Sequence, residues 1–168
     1  MSWFHLWLFL HVTAAIIAFG PTCAFPLVGA LGRDNPMHMS FALKVIGTLE
    51  DKLVIPFVMT MPVSGLLLAI SVSIEWNHNP WLIAALVVYA AAVTFAIAVQ
   101  RPVVERLIHM TSGAGGPAAV PAGPGAAVAG PPPAFLALIK RMQVGGMLLT
   151  LAFFVIMFLM IWRPGGNI

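Results

Sequence analysis

Apolar residues run through this chain in four long stretches, and the polar positions gather between them. The stretches are Trp3 to Leu31, Leu53 to Ile74, Trp81 to Val99 and Gln143 to Trp162. At a helical rise of about 1.5 Å per residue, each is long enough to cross about 30 Å of hydrocarbon. The pattern predicts an all-α integral membrane protein, an antiparallel four-helix bundle in a single domain covering residues 1–168.

The connections carry their own periodicity. Asn35-Pro36 marks a turn, and Phe41 to Leu49 then reads as a short cytoplasmic amphipathic helix with Lys44 on its polar side, lying along the membrane face before Leu53 enters. Beyond the third stretch, Pro102, Val103, Val104, Leu107 and Ile108 keep an apolar stripe while Arg101, Glu105, Arg106 and His109 are polar. The helix is therefore expected to run on past the bilayer, with Pro102 as a point of kinking. Phe135 to Lys140 prolongs the fourth stretch in the same way. Thr111 to Ala134 is almost all Gly, Ala and Pro and ends in Pro131-Pro132-Pro133, the composition of a flexible linker with a stiffer extended end.

Composition sharpens the class. With 61% hydrophobic and 8% charged residues and a mean hydropathy of +1.00, there is too little polar surface to coat a water-soluble domain. The first stretch lacks a basic leader and a clean small-residue cleavage site, so it is expected to be a mature helix and not a signal peptide. Cys23 is the only cysteine, which rules out an intrachain disulfide. The net charge of +3 forms no dense basic stripe, so a nucleic-acid partner is not expected.

The basic residues are distributed unevenly. Arg33, Lys44 and Lys52 fall between the first two spans, and Arg101, Arg106, Lys140 and Arg141 between the last two; Arg163 alone lies on the other side. The positive-inside rule then places both basic connections in the cytoplasm and both termini outside, in a multi-pass protein of a bacterial inner (cell) membrane. Trp3, Trp7, Trp76, Trp81 and Trp162 all map to the outer boundary, where an indole buries its ring and keeps its N–H wet.

Ionisable groups inside a bilayer are costly, which singles out His11. It lies about 12 Å below Trp3 along the helix, on a face of small residues that includes Ala14, Ala15, Ala18 and Thr22. Tyr89 lies about 13 Å below Pro80 and Ser64 about 15 Å below Ile74. A His11–Tyr89–Ser64 cluster at one depth is expected to satisfy its members without water. The sharper reading of the same residues is a cofactor site, with His11 ligating haem b or copper. Ten methionines, Met59, Met61, Met147, Met157 and Met160 among them, are read as gap-fillers, with a thioether ligand as the alternative. At the outer end His5, Glu75 and His78 form a second candidate metal set. At the inner end Glu50 and Asp51 face Arg101, Arg106, Lys140 and Arg141, the makings of an ion-pair network tying helix ends together. No Gly-rich phosphate loop, Ser/His/Asp set, HExxH or CxxC occurs, so soluble-type catalysis has no visible apparatus.

These residues carry a resemblance. His11 in an early apolar helix, Phe19-Gly20, Pro62-x-Ser64-Gly65, the Trp76 and Trp81 pair, Arg101-Pro102 and Arg163-Pro164 resemble a bacterial group of four-span predicted integral membrane proteins of unknown function. More distantly, His11 resembles the first-span histidine of CopD-type copper proteins and HemJ-type haem-pathway membrane proteins. That likeness implies a metal or haem role for His11 alone, and the other ligands of those families have no match here. The long Gly/Ala/Pro linker departs from the usual short connection.

Two functions follow as expectations. The first is a non-enzymatic scaffold or accessory subunit, a homo-oligomer or part of a membrane complex, using small-residue faces such as Ala14-x-x-x-Ala18 and Ala92-x-x-x-Ala96 for helix contact. The second is a haem- or copper-binding membrane redox protein built on His11. The enzyme question stays open, with the non-enzymatic reading preferred. A lone transporter ranks below both, because the spans show neither an inverted repeat nor a central charge.

Overall fold

The computed structural model describes residues 3–33, 36–74, 78–112 and 132–164. The elements are α1 (Trp3–Arg33), α2 (Pro36–Leu49), α3 (Ile55–Ser71), α4 (Pro80–Phe95), α5 (Arg101–Ser112) and α6 (Pro133–Trp162). Wide π-helical turns join two of the pairs: π1 (Glu50–Val54) links α2 to α3, and π2 (Ala96–Gln100) links α4 to α5. Among the described residues four helices are long and apolar enough to cross a membrane, so the all-helical membrane bundle stands.

The two π segments share a cause. Each ends two residues before a proline, Pro56 after π1 and Pro102 after π2. A proline ring clashes with the carbonyl four residues back, here Lys52 and Ala98, and donates no hydrogen bond to it. Widening the turn at that carbonyl absorbs the clash without breaking the helix. Proline permits this geometry and does not dictate it, since Pro21, Pro26 and Pro62 sit inside ordinary α-helix.

Two elements read separately from the sequence are thereby fused. The amphipathic helix begins at Pro36 instead of Phe41, and α2, π1 and α3 form one helix with αR geometry at both junctions. Its apolar face is buried at Ala42, Leu43 and Ile46 while Lys44 is exposed. The third span extends past the bilayer through α5 as its stripe predicts. Val103, Val104 and Leu107 are buried, and Glu105, Arg106 and His109 are exposed. Span two stops at Ser71, short of Ile74, because Ser73 adopts a left-handed φ of 50° and ends the helix.

Contacts order the helices in space. α1 packs on α3 and α2, α6 packs on α4, and α1 meets α6. Phe19 of α1 stacks on Phe153 of α6 at 4.4 Å between ring centroids. Arg163, just past α6, lies 5.6 Å from the ring centroid of Trp81 at the start of α4, and Gln100 reaches Met142 at the other end, so these two helices are antiparallel. Trp81 is buried and donates its indole N–H to Asn79 Oδ1 at 3.0 Å, unlike the exposed Trp3 and Trp162. Trp76 lies outside the described residues.

The best-buried cluster lies outside the four apolar stretches read from the sequence. Met39 and Leu43 of α2, Val103 and Leu107 of α5, and Phe135 of α6 pack together beyond the apolar stretches, with Leu43 and Leu107 fully enclosed. Inside hydrocarbon, burying a Leu against protein gains little over lipid, so small residues such as Ala14, Ala18, Ala69 and Ala85 make the close approaches there. Where water returns, the hydrophobic effect assembles large side chains instead.

Candidate functional site

Polar atoms inside the spans have few partners to choose from, and their pairings define the candidate site. His11 on α1 and Ser64 on α3 meet, with Nδ1 and Oγ 2.9 Å apart. The Ser64 hydroxyl also lies 3.1 Å from the carbonyl oxygens of Thr60 and Met61. A hydroxyl has one proton. Donated to those carbonyls, it leaves Oγ to accept from a protonated Nδ1. Gly65 completes the contact: a Cβ at that position would stand 3.1 Å from His11 Cε1, so the imidazole rests against bare backbone.

Tyr89 does not join this pair. Its hydroxyl donates to the carbonyl of Val58 on α3. Val58 lies about 9 Å along the helix from Ser64, so the expected three-membered cluster divides into two separate links from α3, one to α1 and one to α4.

A third link was not anticipated. Gln100, the last residue of π2, is buried and donates Nε2–H to the carbonyl of Met142 at 2.9 Å. The signal was present in the sequence as an amide closing an apolar run opposite the Gly145-Gly146 pair. Among the described residues, no buried side-chain nitrogen or oxygen lacks a hydrogen-bond partner.

Of the expected network of helix-end charges only Arg101 with Asp51 forms, and Arg106, Lys140 and Arg141 make no ion pair among the described residues. Arg101 Nη2 lies 3.2 Å from Asp51 Oδ1 and Nε donates to Glu105 Oε1 at 3.0 Å, joining π1 to α5. Glu50 is half-buried beside them, repelled by Asp51 and Glu105 and attracted by Arg101.

The metal expectations gain no further donors. Ser64 Oγ and the backbone of Gly65, the groups set against the His11 ring, are not ligands for haem iron or copper(I). No second donor for either group is set against the His11 ring, so no chemistry is derived through them. At the outer end His5 and His78 belong to α1 and to the turn before α4, while Glu75 lies outside the described residues. Among the described residues no three His, Cys, Asp or Glu side chains gather to hold a metal ion.

Comparison with known proteins places the chain in the membrane and goes no further. The family model described as "predicted integral membrane protein (DUF2269)" matches residues 5–164. No curated protein and no solved structure matches the chain. The distant CopD and HemJ likeness is not shown by these comparisons.

Proposed function

Because the chain belongs to this family of predicted integral membrane proteins (DUF2269), we propose that it is a non-enzymatic scaffold or accessory subunit of a membrane assembly. One observation carries the reading: the polar groups within the spans are engaged in holding helices together. His11 is tied to Ser64, Tyr89 to Val58 and Gln100 to Met142. A catalytic or transport site would instead present such groups to a ligand. The outward faces are predominantly apolar, with Leu151, Phe158 and Ile161 of α6 among the exposed residues, and either lipid or partner helices suit them. The orientation proposed with it has the basic connections in the cytoplasm and both termini outside.

Photocrosslinking from positions 151 and 158 in intact membranes tests the scaffold. Discrete protein adducts, a second copy of the chain included, are expected; lipid adducts alone would reject it. An optical spectrum of the purified protein tests the rival. A Soret band that disappears in His11→Ala would replace the scaffold with haem ligation.

A further inference from the structure

At the basic end of the bundle a cleft of about 360 Å³ opens between the end of α2, π1 and the first turns of α5. Its volume falls in the range of about 300–1,000 Å³ usual for small-molecule sites. Three cations line it, Lys44, Lys52 and Arg101, with three carboxylates, Glu50, Asp51 and Glu105. Arg101 is already committed to Asp51 and Glu105. Lys44, Lys52 and Glu50 remain, with no ion-pair partner among the described residues. The cleft thus offers two free ammonium groups and one half-buried carboxylate, held apart from one another.

Its depth is set by the chain. Asp51 and Lys52 immediately precede the apolar run of span two, and Arg101 immediately follows that of span three. These are the positions where hydrocarbon gives way to lipid headgroups. The remaining wall is apolar, from Val104 and Ile108. π1 supplies Glu50, Asp51 and Lys52 to the opening, and such wide turns occur frequently at functional sites.

We propose that this cleft binds the headgroup of phosphatidylethanolamine, with its phosphate at Lys44 and Lys52 and its ammonium at Glu50. The phosphate supplies the anion the lysines lack, and the primary ammonium brings three N–H donors to Glu50, which Arg101 attracts without forming an ion pair with it. A choline headgroup has no N–H to donate. A glycerol headgroup would satisfy the lysines and leave Glu50 without a cation. Val104 and Ile108 are placed to meet the start of the acyl chains.

Native mass spectrometry of the full-length protein, released from vesicles of equimolar phosphatidylethanolamine, phosphatidylcholine and phosphatidylglycerol, tests the assignment. Retained phosphatidylethanolamine is expected to exceed phosphatidylcholine at least tenfold. Glu50→Gln should remove that preference, and Lys44→Ala with Lys52→Ala should lower retention of all three lipids. If Glu50→Gln does not fold, Lys52→Gln reports the phosphate half of the site. Equal retention of ethanolamine and choline lipids would overturn the proposal, as would dominant phosphatidylglycerol retention unaffected by Glu50→Gln. Displacement of the lipid by an equimolar amount of soluble glycerophosphoethanolamine would overturn the lipid as the source of the headgroup.

Discussion

Gly145 of α6 lies so close to Gln100 that a Cβ at position 145 would stand 1.9 Å from Gln100 Oε1. The amide cannot simply swing away, because its nitrogen is bonded to the Met142 carbonyl. Gly145→Ala should therefore destabilise the protein by about 1–3 kcal/mol, the usual cost of overpacking. Thermal unfolding in detergent would register this as a drop of several degrees. Gly146→Ala is the control: nothing lies within 4 Å of its Cβ position, so little change is expected. Gln100→Ala combined with Gly145→Ala should recover part of the loss. An unchanged melting temperature in Gly145→Ala would contradict the packing.

His11 and Ser64 should be coupled. In a double-mutant cycle of His11→Ala and Ser64→Ala, measured by unfolding in detergent, the interaction energy is expected near 0.6 kcal/mol, with roughly 1.7 as the upper end found for hydrogen bonds between membrane helices. Strict additivity would mean that the two side chains do not meet.

Tyr89 supplies a contrasting case. Tyr89→Phe removes the donor to the Val58 carbonyl and should cost about 0.5–1.5 kcal/mol. Its effect should add to that of His11→Ala, because the two side chains bond to different levels of α3. Strong coupling between them would restore the single cluster expected from the sequence.

The ion pairs of Arg101 join exposed groups, with side-chain exposures of 41% for Arg101, 53% for Asp51 and 56% for Glu105. Asp51→Asn should therefore cost no more than about 1 kcal/mol, and the difference should shrink as salt is added. A large loss that persisted in high salt would mean that the contact is far better shielded than these exposures imply.

Orientation is testable without a structure. A cysteine at Gly115, in the connection between the last two spans, should resist an impermeant thiol reagent in intact cells and react after permeabilisation, in a background where Cys23 is serine. Labelling from outside would invert the proposed topology. The connection itself, residues 111–134 as read from composition, falls for the most part outside the described residues.

Membrane residence, the number of spans and the continuation of the third beyond its apolar stretch were determined by the sequence alone, because hydrocarbon imposes a length and a composition on any helix that crosses it. His11, Ser64 and Tyr89 were legible as groups that need partners for the same reason: a polar group at that depth must find another. Which other group it finds depends on how one helix slides along its neighbour, and only the tertiary structure decided that. In the structure Tyr89 goes to Val58 and not to His11. The link from Gln100 to Met142 needed the same information, since an amide at a helix end is unremarkable until a glycine on another helix makes room for it. The cleft lined by Lys44, Glu50, Lys52 and Arg101 exists only because the end of α2 and π1 meet the start of α5, and no local pattern in the sequence specifies that meeting.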